Sequence, residues 1–206
     1  MSSNYDNAAR FYDRLSRIVF GDTLVKAQVY LFKYIQPNAH ILIIGGGTGW
    51  ILEELTCIHP SGLQITYIEI SSKMIALSQK RNVGDNNVIF INEAIENVTG
   101  LGEFDVVITP FLFDNFTDQT AEKVFGHINN QLKSKGLWLI TDFQLTGKKW
   151  QAALLKTMLL FFKLCCGIES SKLTDMEKYF EQAGYQAIHQ KTFFGDFIMS
   201  KAYKKH

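Results

Sequence analysis

The segment Ile41-Leu42-Ile43-Ile44-Gly45-Gly46-Gly47-Thr48-Gly49 constrains the fold more than any other part of the chain. A short, unbroken run of branched apolar residues reads as a strand buried on both faces. The glycines after it read as a sharp turn into a helix beginning near Trp50. Glycine fills four of the five positions from 45 to 49, which permits torsions and close approaches that a Cβ would forbid. A second apolar segment, Gln64-Ile65-Thr66-Tyr67-Ile68, ends in Glu69. A carboxylate at the tip of a second strand can accept hydrogen bonds from both hydroxyls of a ribose. Glycine turn and acidic strand tip together point to a nucleoside-containing ligand. A glycine turn with no ligand is the simpler alternative, and the position of Glu69 weighs against it.

The rest of the chain alternates two periodicities. Strands are expected near 40–44, 64–69, 88–91, 105–109 and 136–142. Helices are expected near 49–57, 72–81 and 118–133, the last after an N-cap signal at Thr117-Asp118. Such alternation predicts a parallel α/β sheet with helices on both faces. Residues 5–20 and 22–35 read as amphipathic helices ahead of the sheet, and Pro37-Asn38 breaks the chain before the first strand. Tyr185–Lys191 and Phe197–Tyr203 read as strands joined by Gly195-Asp196, a hairpin signal. The expected fold is a doubly wound, seven-stranded sheet, mostly parallel, with a C-terminal antiparallel hairpin. One domain would span 1–206, with 1–36 as a helical cap and 144–184 as a helical insertion before the hairpin.

Composition narrows the partners. A chain of 206 residues that is 47% hydrophobic and 20% charged can bury one substantial core. A net charge of +1 provides no field for gathering phosphates, so nucleic acid is not expected as a partner. Cys57, Cys165 and Cys166 lack zinc or redox spacing, and a reducing cytoplasm suits them. No histidine pair has metal-ligand spacing, so no metal is expected. Charged residues from Asp6 to Arg17 interrupt the N-terminal segment, which therefore does not read as a secretory signal.

Two cofactors fit the glycine turn. A dinucleotide site wants G-x-G-x-x-G, but Trp50 stands at the third glycine position. S-adenosylmethionine carries no phosphate and needs close backbone approach instead, which Gly45, Gly47 and Gly49 supply. On these residues the chain resembles the S-adenosylmethionine-dependent methyltransferases of the Rossmann-like class. Tyr67-Ile68-Glu69-Ile70-Ser71-Ser72-Lys73-Met74 is similar to that family's ribose-binding segment. Val88-Ile89-Phe90-Ile91-Asn92-Glu93-Ala94 is similar to its third strand and the acidic loop beside adenine. Phe104–Thr109 and Leu132–Ile140 resemble its fourth and fifth strands, and Tyr5-Asp6 and Phe11-Tyr12-Asp13 resemble the opening of the quinone-biosynthesis C-methyltransferases. The resemblance implies a methyltransferase that uses S-adenosyl-L-methionine. It places Gly45, Gly46, Gly47, Thr48, Gly49, Glu69, Ile70, Met74, Glu93, Ala94 and Thr109 at the cofactor.

Departures from the pattern carry information. The family usually has Asp or Glu two residues before the first glycine, and this chain has Ile43. A non-catalytic binding protein on the same fold is therefore one alternative, and a nicotinamide-dependent oxidoreductase is another. The chain has Thr109-Pro110-Phe111 in place of an Asn-Pro-Pro-aromatic run, which argues against amino-methylation of adenine or glutamine. Methyl transfer needs alignment in a dry site more than it needs a metal. Tyr12, Phe111 and Phe113 are the aromatics expected around a small, lipophilic acceptor. Asp114, Asp142 and Tyr12 are the candidate catalytic groups.

Residues 150–168 form the chain's least ordinary segment. Lys149, Lys156 and Lys163 recur every seven residues on an otherwise apolar helix. Two interior lysines argue against a membrane span. The segment reads as a helix buried at the sheet edge or in a homodimer contact, or alternatively as a lid over the acceptor or a membrane-surface contact.

Overall fold

A computed structural model describes residues 12–167, 170 and 172–206, apart from the side chains of Tyr12, Asp13, Cys165 and Cys166. Tyr5, Asp6 and Phe11 lie outside the described residues, as does any helix before Tyr12. Strand β1 (His40–Ile44) is buried along all but its first residue. It pairs in parallel with β2 (Ser61–Ile68) on one side and β4 (Phe104–Pro110) on the other. Its alternation sorts the two core faces. Ile41 and Ile43 pack with Leu31 and Phe32 of helix α2 (Thr23–Phe32) and with Ile51, Leu52 and Leu55 of α3 (Trp50–Ile58). Leu42 and Ile44 pack with Ala121, Val124, Phe125 and Ile128 of α5 (Asp118–Asn129). The helices α1 (Tyr12–Phe20) and α4 (Ser72–Ser78) flank the glycine turn's end of the sheet.

Strand β3 (Asp85–Ile91) extends the sheet beyond β2, and β5 (Leu132–Phe143) extends it beyond β4, both in parallel. Then β7 (Ile198–Lys204) pairs antiparallel with β5, and β6 (Gln186–Phe193) pairs antiparallel with β7 at the edge. The order β3-β2-β1-β4-β5-β7-β6 is the seven-stranded, mostly parallel sheet with a C-terminal hairpin that the periodicity predicts. The chain winds outward from β1 in one direction and then from β4 in the other. A crevice opens at such a reversal, beyond the C-terminal ends of β1 and β4. Residues 144–184 hold the helices α6 (Lys149–Cys166) and α7 (Glu177–Gln182). Phe180 of α7 meets the buried Trp138 edge-on at 5.0 Å, while Phe125 stacks on that indole at 4.9 Å.

Several boundaries differ from expectation, three of them for a visible reason. Strand β3 starts at Asp85 because Asn86 substitutes for ladder bonds at a register shift: its Oδ1 accepts from the Leu63 N–H at 2.9 Å and its Nδ2 donates to the His59 carbonyl at 2.8 Å. Helix α5 begins after the Thr117 cap as expected but ends at Asn129, because Phe104 N–H already pairs with the Gln131 carbonyl at 2.8 Å. The hairpin turn is wider than Gly195-Asp196, since Phe194, Gly195 and Asp196 all adopt positive φ between the strands.

Helix α6 is neither wholly buried nor detached. Leu155 packs with Phe20, Phe143, Phe197 and Ile198, and Trp150 meets the rings of Phe194 and Phe197 edge-on. On its other side Leu160 and Leu164 are 58% and 78% exposed. Among the described residues no helix is long and apolar enough to cross a membrane.

Candidate functional site

The glycine turn borders a cavity of about 1320 Å³ at the crevice between β1 and β4. Each glycine has a distinct reason to lack a side chain. Gly45 has φ +71° and a Cβ there would come within 3.1 Å of Leu112, while its N–H donates to the Ile68 carbonyl at 2.9 Å and ties the turn to the end of β2. A Cβ on Gly46 would stand 2.5 Å from the Tyr67 ring, whose hydroxyl donates to the Gly47 carbonyl at 2.9 Å. Gly47 has φ +63°, and a Cβ there would meet only Met74 Sδ, at 3.9 Å. That face of the turn is open to the cavity. Thr48 is held from outside: Arg81 donates to its carbonyl at 2.9 Å and pairs with Glu53 at 3.2 Å.

Glu69 lies just past β2, buried and lining the same cavity. Its Oε2 accepts from the Gly47 N–H at 3.1 Å and its Oε1 from the Ser71 N–H at 2.9 Å. Ser71 in turn caps α4 through the Met74 N–H. One carboxylate thus joins the turn to the start of the next helix. Ile70, Met74, Glu93 and Ala94 complete this side of the cavity. Asn92 Nδ2 holds the loop by donating to the carbonyls of Glu69 and Ile70, each at 2.9 Å. Glu93 accepts from Asn97 and from the Ala94 N–H, contacts that hold its carboxyl below the usual range.

Packing places four of the residues that the sequence assigns to the site outside the cavity lining. Gly49 does not line the cavity; its missing Cβ makes room for Ser78, which a Cβ would approach to 2.4 Å. Thr109 is fully buried and its Oγ1 accepts from Trp138 Nε1 at 2.9 Å, which turns it into the core. Phe113 is buried beside Trp138 rather than at the cavity. Asp142 sits beneath the cavity wall, where its oxygens accept from the backbone N–H groups of Phe113 at 3.2 Å and Phe143 at 2.8 Å. It anchors the loop after β4. The Tyr12 side chain lies outside the described residues.

The rest of the cavity mixes apolar and charged groups in its lining. Phe111, at φ +49°, lines it with Phe116 and Phe143. Helix α1 adds Leu15, Ile18 and Phe20 together with Arg14 and Arg17, and α6 adds Leu154, Met158, Phe161 and Phe162. The sequence singled out α6 by its broad apolar surface but not the side that would meet the cavity. Asp114 is half-buried among these groups, with Asn115 Nδ2 donating to its Oδ1 at 2.6 Å. Burial, reinforced by the neighbouring Asp142, holds its carboxyl well above the usual range. Burial likewise pushes Asp142 up to about 7, against its backbone hydrogen bonds. Gln28 of α2 also lines the cavity and escaped sequence reasoning. Among the described residues no cluster of His, Cys, Asp and Glu could hold a metal.

These residues fit an adenosine carrying an amino-acid tail. The acidic strand tip can take ribose hydroxyls, the slot of Ile70, Met74 and Ala94 suits a flat base, and the open face of Gly47 leaves space that a Cβ would fill. Comparison with known proteins agrees. Residues 41–136 match the family model described as a methyltransferase domain. The ubiquinone/menaquinone biosynthesis C-methyltransferase UbiE of Wigglesworthia glossinidia brevipalpis is 31% identical over 146 residues, 68% of this chain and 57% of that protein. A malonyl-acyl-carrier-protein O-methyltransferase of Bacillus cereus is 29% identical over 133 residues, 63% of this chain and 48% of its own length. The chain spans about half the length of these curated relatives. Among solved structures, the magnesium protoporphyrin IX methyltransferase of Synechocystis with bound S-adenosylhomocysteine superposes with a TM-score of 0.64 at 13% identity, covering 89% of this chain and 82% of that one.

Proposed function

The chain belongs to the Rossmann-like methyltransferases, and from that premise we propose that it transfers a methyl group from S-adenosylmethionine to a small, lipophilic acceptor. The observation that carries the reading is the pairing of Glu69 with the cavity-facing Gly47 on one wall. When bound, the cofactor supplies an electrophilic methyl on a sulfonium centre. Glu69 binds the ribose, the Gly47 backbone admits the amino-acid tail, and Ile70, Met74 and Ala94 enclose the base. Phe111, Phe116 and Phe143 exclude water and present ring faces suited to a sulfonium. Holding acceptor and methyl in line then supplies most of the acceleration. Asp114 is the cavity carboxyl that takes a proton from a hydroxyl or carbon-acid acceptor. Its raised pKa makes it a stronger base, once ionised, than a solvated carboxylate. The apolar side chains that α6 brings to the cavity support a lipophilic acceptor, and so does a relative named for ubiquinone and menaquinone biosynthesis.

Thermal unfolding with added nucleosides tests the reading. A ligand specific to the native state stabilises it by about 2.7 kcal/mol at a hundredfold excess over Kd. For a chain of this size that raises Tm by roughly 5–10 °C. S-adenosylhomocysteine should produce the rise and NAD should not. The reverse pattern favours the oxidoreductase, and no response to any nucleoside favours a binding protein without the cofactor.

A further inference from the structure

Gln28 is 4% exposed, lines the cavity, and has its side-chain carbonyl oxygen buried with no hydrogen-bond partner among the described residues. Buried polar atoms are almost always paired, and an orphaned acceptor aimed at a cavity calls for a donor there. Its place in the fold says which donor. Glu69 and Ala94 lie at the β2 and β3 side of the crevice. Helix α2 lies across β1 from them: it packs on β5, β6 and β7, and the Ala27 carbonyl accepts from Ser200 Oγ of β7 at 2.7 Å. A ligand with its ribose at Glu69 and its chain running past Gly47 toward β4 directs its tail to the α2 side. On that side β1 contributes Ile43, fully buried and apolar. We propose that Gln28 is a cofactor-binding residue whose carbonyl oxygen accepts a hydrogen bond from the ammonium at the amino-acid end of S-adenosylmethionine. An uncharged amide then does the work of recognising a cation where β1 carries Ile43 in place of a carboxylate.

The proposal rests on the methyltransferase reading, and calorimetry with two probes separates the two. S-adenosylhomocysteine carries the ammonium; 5′-methylthioadenosine keeps the adenosine and lacks the amino-acid end. Gln28→Leu should weaken S-adenosylhomocysteine about tenfold, as expected for losing a hydrogen bond to a charged group, and leave methylthioadenosine unchanged. Gln28→Glu, which keeps an acceptor at the same reach, should retain S-adenosylhomocysteine binding. Undiminished binding of both ligands by Gln28→Leu overturns the assignment and leaves the methyltransferase reading intact. Equal weakening of both overturns it too, since that reports a distorted cavity. Failure of the wild-type chain to bind either ligand refutes the methyltransferase reading itself. If Gln28→Leu does not fold, Gln28→Met gives the same contrast with an unbranched side chain.

Discussion

Gly47→Ala separates the ligand's requirement for glycine from the fold's. An added Cβ at Gly47 meets only Met74 Sδ at 3.9 Å, an ordinary contact, so packing carries no penalty. The remaining cost is φ +63°, where an L-residue loses roughly 1–2 kcal/mol. That amounts to a fall in Tm of about 2–8 °C for a chain of this size. The same methyl projects into space proposed for the cofactor, so affinity for S-adenosylhomocysteine should fall at least tenfold, about 1.4 kcal/mol. At a concentration giving the wild-type chain about 2.7 kcal/mol of stabilisation, the variant's ligand-induced rise should shrink to half or less. Gly49→Ala is the control. Its Cβ would lie 2.4 Å from Ser78 Cβ and 2.6 Å from Ser78 Cα, away from the cavity. Overpacking of roughly 1–3 kcal/mol should add to the positive-φ cost and lower Tm further, while the folded fraction keeps wild-type affinity. Scanning calorimetry measures stability, and titration calorimetry measures Kd. Wild-type affinity in Gly47→Ala, or lost affinity in folded Gly49→Ala, would refute the reasoning.

Further outcomes follow from other contacts. Glu69→Ala removes the acceptor of the Gly47 and Ser71 N–H groups as well as the proposed ribose contact. It should lower Tm and weaken S-adenosylhomocysteine at least tenfold, at roughly 1.5–3 kcal/mol per hydrogen bond to a charged group; unchanged affinity in titration calorimetry would remove Glu69 from the site. Asp142 binds its proton more tightly in the folded chain, with a pKa of about 7, than in the unfolded one, where it is about 3.9. Its contribution to stability is therefore complete below the unfolded value and lost as pH rises toward 7. Urea midpoints measured from pH 4 to 8 should fall less steeply in Asp142→Asn; an unchanged slope would show that this carboxyl does not retain its proton. Phe162 lines the cavity, whereas Leu160 is 58% exposed. Phe162→Ser should therefore alter acceptor turnover and Leu160→Ser should not, both with Tm changes of a few degrees; unfolding of both variants would mean that α6 is core.

Local chemistry carried much of the fold. Ile41 to Gly49 declares a doubly buried strand and a turn with no side chains, because branched apolar residues and glycines have few other uses in that order. Glu69 was legible for a similar reason: an acidic residue at the end of an apolar strand has to meet something polar. The alternation that followed, and the change to a hairpin at the C-terminus, set the seven strands. Direction was not legible. Thr109 and Gly49 sit in the segments that the pattern marks, yet Trp138 draws one inward and Ser78 crowds the other. Asp142 reads as a candidate catalytic group, but three-dimensional packing places the Phe113 and Phe143 N–H groups on its oxygens. Nothing in the sequence marks Gln28, and only the approach of α2 to the sheet buries it. Periodicity reports which side of an element is apolar, a property of neighbours a few residues apart. Which distant group lies opposite a polar atom depends on how separate elements dock, and that was decided by the tertiary structure alone.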